Sequence, residues 1–245
     1  MMRVTVLGGG GLMGHGIALA CLQGTDCEVV LVSRREQSLA HGRELIASGP
    51  YGLQRAVARG KLDAERASVL ETRIATTTDY AEGLDGADIV FESIPEVVAD
   101  KKAALADAER LAPRGALLAT GTSAITIATL AEALREPARL LGTHWFYPAN
   151  VMPLVEVAVG EATDADLATR MLEFLRTIGK RPVRVGDGPG FFMTRFINTF
   201  IAEAIRLVEL GVAGPAEIDE MVKTGLGWPM GVFELLDDAA AFDSW

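Results

Sequence analysis

The sequence predicts an α/β fold: a doubly wound, mostly parallel sheet over residues 1–186, followed by a smaller all-helical C-terminal domain over residues 187–245. Three observations carry this. A glycine-rich turn joins an apolar strand to an apolar helix at the start of the chain. Strand-like and helix-like segments then alternate as far as Gly186, the signature of a parallel sheet with helices on both faces. Beyond Gly186-Asp187-Gly188-Pro189-Gly190 the pattern is helical alone.

Residues 4–7 form an apolar run that fits a buried strand, residues 8–11 are all glycine, and Leu12-Met13-Gly14-His15-Gly16-Ile17-Ala18 continues with helical spacing. The pattern G-x-G-x-x-G, which marks a Rossmann-type dinucleotide site, falls on Gly9, Gly11 and Gly14. Gly9 allows the tight turn, Gly11 lets a pyrophosphate approach the backbone, and Gly14 lets the helix pack closely on the strand. Leu12 and Met13 open that helix, whose free N–H groups and positive dipole end suit phosphates. With a second strand at residues 28–32, the unit is β-α-β and NAD(P) is the expected cofactor; a glycine turn that binds nothing is the alternative. The glycines and His15 also interrupt what would otherwise resemble the apolar stretch of a signal peptide.

An NAD site places an acid ~20 residues beyond the glycines to hold the ribose hydroxyls. Ser33 stands there, followed by Arg34 and Arg35. A hydroxyl and two guanidinium groups suit a 2′-phosphate that a carboxylate would repel, so a preference for NADP is expected. If both arginines are simply solvated, NAD serves instead.

Residues 37–48, 51–60 and 63–72 read as three helices, with Asp63 as N-cap of the third. The excursion is long for a βα connection. It is either an arm or lid over a ligand, or a helical hairpin packed on the sheet edge. Strands follow at 74–78, 87–93, 116–120, 140–145, 154–159 and 182–185; helices run through Leu111 and over 127–134 and 164–178. In the second domain, 191–210 and 215–223 read as helices, and a last short helix follows the loop beginning at Gly225. Ligands of open α/β sheets bind beyond the carboxyl ends of the strands. The glycine loop, Ser33, Glu96, Ser123 and His144 all fall at or just past such ends, so one crevice could gather them.

Apolar residues make up 49% of the 245, enough for a substantial core, and 23 basic against 33 acidic residues leave a net charge of −10. That balance argues against general nucleic-acid binding. No apolar run reaches the ~18 residues of a membrane span. Cys21 and Cys27 are too few for a disulfide framework and are not spaced with histidine as metal ligands. No metal is expected, and a reducing, cytoplasmic location is. The 191–210 helix is too apolar for a small domain to cover alone, so a homodimer is expected.

Of the three histidines, His15, His41 and His144, the last stands at a strand end, and Glu156 lies twelve residues on in the next strand. If those strands are close, the carboxylate accepts one imidazole N–H and fixes the tautomer, leaving the other nitrogen as a general acid/base. A nicotinamide takes a hydride but not the hydroxyl proton, so hydroxyl–carbonyl redox needs such a base. Ser123 could hydrogen-bond the reacting oxygen. By spacing alone, one histidine and one glutamate more often have a structural role.

The segments Gly9-Gly-Gly11-Leu-Met-Gly14-His-Gly-Ile-Ala, Phe91-Glu-Ser-Ile-Pro-Glu96, Thr122-Ser123, His144-Trp-Phe-Tyr-Pro148, Val155-Glu156-Val157, Pro189-Gly190-Phe191 and Pro229-Met230-Gly231-Val-Phe-Glu-Leu235 together resemble the 3-hydroxyacyl-CoA dehydrogenase family, over nearly the whole chain. The resemblance implies oxidation of a 3-hydroxyacyl thioester to the 3-ketoacyl thioester, or its reverse, on an acyl-CoA or acyl-carrier substrate. It implies His144 as acid/base, Glu156 as its orienting partner, Ser123 on the substrate oxygen, Thr194 beside the substrate, and Glu96 and Lys101 near the nicotinamide or ribose. The helical excursion would be the family's arm over CoA, with Arg55, Arg59 and Lys61 toward its phosphates. Three positions depart from the family pattern: Ser33 replaces an acid, and Gly121 and Thr194 each replace an asparagine. The family also continues past the position of Trp245 with helices that help bury a dimer surface. Free 3-hydroxy acids or carnitine-like substrates would suit Gly121 and Thr194, and a nucleotide-binding protein with little turnover is the reading of another class.

Overall fold

The computed structural model describes residues 1–242, with side chains described through Asp237. The chain forms two compact units, Met1–Phe191 and the remainder from Phe192.

In the first unit, eight strands make one sheet: β1 Arg3–Leu7, β2 Glu28–Val32, β3 Ile74–Thr77, β4 Ile89–Glu92, β5 Leu117–Thr120, β6 Leu140–Trp145, β7 Leu154–Val159 and β8 Arg181–Gly186. Their order is β3-β2-β1-β4-β5-β6-β7-β8. Every neighbouring pair is parallel except β6 and β7, which run antiparallel. The winding reverses between β1 and β4. At such a switch point the loops leaving the two strands part in opposite directions and open a crevice at the carboxyl edge.

Successive side chains on a strand face opposite ways, and here both faces are covered. Val29, Leu31, Ile89 and Phe91 pack with α1 (Leu12–Gly24) and α8 (Ala165–Thr177). Val30, Val32, Val90 and Leu118 pack with α6 (Val98–Leu111) and α7 (Ile127–Ala131) on the other face. Burial on both sides is why β2 and β4 read as continuous apolar runs rather than alternating ones.

The helical excursion comprises α2 (Glu36–Ser48), α3 (Leu53–Ala58) and α4 (Ala64–Thr72). Leu39, Ile46, Leu53 and Leu70 are buried in the core shared with α1, so the excursion is packed onto the unit along much of its length. Arg55, Arg59 and Lys61 are exposed. Asp63 caps α4, its carboxylate accepting the Arg66 N–H at 2.6 Å. A further helix, α5 (Tyr80–Leu84), is absent from the sequence reading because five residues are too few to display a helical period. Asp79 starts it by accepting the N–H groups of Ala81 and Glu82.

The second unit holds α9 (Met193–Glu209), α10 (Pro215–Leu226) and α11 (Val232–Phe242). α9 starts two residues later than the apolar pattern suggests, because Gly190 and Phe191 both have positive φ, 73° and 46°, which no right-handed helix accommodates. Asp219 on α10 caps α11, accepting from the N–H groups of Phe233 at 2.8 Å and Glu234 at 3.0 Å. Ala204, Ile218 and Val232 form the small core of this unit.

Candidate active site

Four neighbouring strands, β1, β4, β5 and β6, end on the same edge of the sheet, and the loops that leave them carry the polar groups of the site.

The loop after β1 is shaped by close approach. A Cβ on Gly14 would stand 2.3 Å from the Gly8 carbonyl oxygen, and one on Gly10 would stand 2.1 Å from that of Ser38 at the start of α2. Gly11 differs: a Cβ there would meet only the Gly8 carbonyl oxygen, at 3.3 Å. So Gly14 is glycine for packing, whereas the space beside Gly11 is open to a ligand. No side chain caps α1, and the first-turn N–H groups, those of Leu12 and Met13 among them, have no acceptor within the helix. An uncapped helix N-terminus behind a glycine cradle fits a pyrophosphate.

Ser33 follows the end of β2, its N–H directed at the Thr77 carbonyl at 3.4 Å, and Arg34 and Arg35 next to it are exposed. The half-buried Tyr80 of α5 interacts with Arg34; burial pushes the Tyr80 phenol up and the guanidinium opposes this.

At the ends of β4 and β5 the structure brings Glu96, Lys101 and Ser123 into one network, organised by a residue the sequence reading missed. Glu92, the last residue of β4, is fully buried. Its carboxylate accepts from the Lys101 ammonium at 2.8 Å, the Ile94 N–H at 2.8 Å and the Thr120 hydroxyl at 2.5 Å. Lys101 is itself 1% exposed and its ammonium also lies 3.3 Å from Glu96. Glu96 accepts the Thr122 hydroxyl and the N–H groups of Ser123 at 2.9 Å and Ala124 at 3.1 Å. Burial works to raise the Glu96 pKa, but the Thr122 hydroxyl, the Lys101 charge and the two N–H groups outweigh it, and the carboxyl is held below its usual range. Glu96 thereby ties the loop after β4 to the turn after β5, with Ser123 exposed on that turn. The preceding Gly121 has its N–H on the Glu92 carbonyl at 2.7 Å, and a Cβ on it would stand 2.9 Å from the same oxygen.

His144 and Glu156 face each other directly across the antiparallel β6–β7 pair. His144 Nδ1 is 2.7 Å from Glu156 Oε2, and both residues are buried. With Glu156 as a carboxylate, which only accepts, Nδ1 is the donor of this bond, and in the neutral imidazole Nε2 then keeps a lone pair. Phe146 and Phe191 wall the imidazole, with ring centroids at 4.6 and 5.9 Å. Phe191 holds a left-handed conformation uncommon outside glycine. Strain of that kind gathers at functional sites.

Thr194 is in the first turn of α9, in the second unit. His15 is buried on α1 with Nδ1 on the Gly11 carbonyl at 3.0 Å; burial pushes its pKa down, which makes it a core histidine.

Residues 3–188 match the family described as "3-hydroxyacyl-CoA dehydrogenase, NAD binding domain", and residues 190–241 match "3-hydroxyacyl-CoA dehydrogenase, C-terminal domain". Human "Hydroxyacyl-coenzyme A dehydrogenase, mitochondrial" is 37% identical over 96% of this chain and 75% of its own length. An Escherichia coli "3-hydroxyadipyl-CoA dehydrogenase" is 38% identical over 94% of this chain and 47% of its own. The crystal structure of (S)-3-hydroxybutyryl-CoA dehydrogenase from Ralstonia eutropha superposes with a TM-score of 0.89 at 31% identity, covering 95% of this chain and 80% of that one. With both units matched in order and a nucleotide cradle and a buried His–Glu pair on one sheet edge, the chain belongs to the 3-hydroxyacyl-CoA dehydrogenase family.

Proposed function

We propose that His144 is the acid/base of a 3-hydroxyacyl-CoA dehydrogenase reaction, with Glu156 holding its tautomer; the 2.7 Å contact between the two buried side chains is the observation that carries this. As a member of its family, the chain interconverts a 3-hydroxyacyl-CoA and the 3-ketoacyl-CoA. A bound nicotinamide supplies hydride acceptance and donation at carbon. In the oxidative direction His144 Nε2 takes the hydroxyl proton, and in reduction it returns that proton to the nascent alkoxide. The Ser123 hydroxyl donates to the reacting oxygen. Glu96 orients the nicotinamide end through the turn it ties down. Lys101 is too deeply buried to reach a ligand directly and acts by fixing Glu96. The glycine cradle of Gly9, Gly11 and Gly14, with the N–H groups of Leu12 and Met13, holds the pyrophosphate. The exposed Arg55, Arg59 and Lys61 of the arm meet the CoA phosphates.

The test is the initial rate of acetoacetyl-CoA reduction, with carrier-bound and free-acid substrates alongside. Turnover of the CoA thioester is expected. Tight cofactor binding with no turnover of any of the three would overturn the reading.

Cofactor choice belongs to the same proposal. Ser33, Arg34 and Arg35 favour NADP, the serine hydroxyl and a guanidinium meeting the 2′-phosphate. Ser33→Asp removes one hydrogen bond to a charged group and adds repulsion, about 1.5–3 kcal/mol. KM for NADPH then rises about 10- to 100-fold while that for NADH falls or holds. Equal kcat/KM with NADH and NADPH in the unmutated protein would sink the preference.

We infer in addition that the protein is a homodimer. Of α9 only Ala204 is buried, and Phe192, Phe196, Leu210, Val212, Met221 and Leu226 are exposed in the second unit. This many exposed large apolar side chains in so small a unit support an interface. A monomer mass by light scattering at micromolar concentration contradicts the dimer. Among the described residues, no helix is long and apolar enough to cross a membrane. The buried, unpaired thiols of Cys21 and Cys27 support a reducing compartment, and the reading assigns the chain to the cytoplasm.

A further inference from the structure

Lys180 is a buried cation with no part in the chemistry above. It lies in the turn between α8 and β8, 7% exposed. Its ammonium donates to the carbonyls of Ala149 at 2.7 Å and Met152 at 2.9 Å, and sits 5.8 Å from the centre of the Trp145 ring. Burial pushes it down to about 8, with the Cys21 thiol working the other way. Burying an ammonium costs desolvation that two carbonyls only partly return. A methionine would fill the same space without that cost, so the charge is best explained by what it holds.

Both carbonyls belong to residues 146–153, the connection between β6 and β7, and so between the strand of His144 and that of Glu156. Two-residue hairpin turns fix strand register by their own geometry; a connection of this length does not. It must be held from outside. It opens with Phe146, whose ring centroid lies 4.6 Å from that of the His144 imidazole. Inside it, the Val151 and Met152 N–H groups both donate to the Pro148 carbonyl. Asn150 Nδ2 donates to the Tyr51 carbonyl at 3.0 Å, and the Tyr147 and Tyr51 rings meet edge to face at 5.9 Å. Thus one side of the connection is tied to the arm and the other to Lys180.

We propose that Lys180 is a positioning residue for the redox step: by holding the Ala149 and Met152 carbonyls it fixes the β6–β7 connection, and with it Phe146 and the alignment of His144 on Glu156. This rests on the dyad reading above. The experiment compares Lys180→Met and Lys180→Gln with the unmutated protein and with His144→Ala. The readouts are kcat and KM for acetoacetyl-CoA, cofactor affinity by fluorescence, and the downfield proton resonance of an imidazole N–H bonded to carboxylate, assigned by its loss in His144→Ala. Misplacing a reacting group by a fraction of an ångström to an ångström costs up to about 100-fold. Both Lys180 variants are therefore expected to lose kcat about 10- to 100-fold, with KM and cofactor affinity unchanged and the resonance broadened by faster exchange. An unchanged kcat and resonance in either folded variant overturns the proposal. So does a loss confined to melting temperature or to the yield of folded protein, which is what a merely structural lysine would give. If His144→Ala turns over as fast as the unmutated chain, it is the dyad reading that has failed, and the two failures are told apart.

Discussion

His144→Ala lowers kcat for acetoacetyl-CoA reduction by about 10²–10⁴-fold, the usual worth of a positioned general acid/base, and leaves cofactor affinity unchanged. The separation follows from the layout. The glycine cradle leaves β1 and the imidazole leaves β6, with β4 and β5 between them, so removing the ring disturbs no phosphate contact. Glu156→Gln is the sharper companion. The carboxylate accepts from Nδ1 at 2.7 Å. A glutamine can instead present its NH₂ to that nitrogen, which stabilises the tautomer with hydrogen on Nε2 and removes the lone pair facing substrate. The loss is expected in kcat, since volume and burial hardly change; in the serine-protease triad the equivalent carboxylate-to-amide change costs about 10⁴-fold. Steady-state kinetics with fluorescence titration of the cofactor checks both variants. A His144→Ala enzyme that keeps its kcat while losing cofactor affinity would remove the imidazole from the chemistry.

How far the site could be read from sequence depends on the range of the interaction that makes it. The glycine-rich turn was legible because strand, turn and helix are contiguous, and a glycine such as Gly14 answers a local clash with the Gly8 carbonyl. The Asp63 cap was legible for the same reason. The pairing of His144 with Glu156 was half legible. The spacing of twelve residues allows contact only if β6 and β7 run antiparallel in one register, and the regular α/β alternation argues for parallel strands. The clue lay in the connection, since residues 146–153 are too few for the crossover of a dozen or more residues that parallel strands require. Glu92 was not legible. An acid closing an apolar strand reads as a solvated end, and its burial becomes visible only when α6 lays Lys101 over it. Lys180, beside the helix-ending Gly179, likewise reads as a surface lysine until the fold covers it.

Lys101→Met destabilises the first unit by about 3–5 kcal/mol, because it leaves one charge of a buried pair without its partner. Glu92 is fully buried and Lys101 is its only ammonium contact among the described residues. Without it the carboxylate keeps the Ile94 N–H and the Thr120 hydroxyl. Two neutral donors do not balance a charge removed from water. At about 2–4 °C per kcal/mol for a unit of this size, the melting temperature falls by roughly 10 °C. The reverse change, Glu92→Gln, is milder, since Lys101 still has Glu96 at 3.3 Å. That asymmetry makes the prediction specific to the network. In the double variant Glu92→Leu with Lys101→Met, both charges leave together, and stability returns to within about 1–2 kcal/mol of the unmutated chain, as replaced buried pairs generally do. Denaturant unfolding of Lys101→Met, Glu92→Leu and the double variant measures the coupling directly. Additive losses in the double variant would mean that the pair contributes through packing and not through charge. The double variant also separates stability from function: Glu96 loses the Lys101 charge that helps keep its carboxyl ionised, so KM for the cofactor rises even where the fold has recovered.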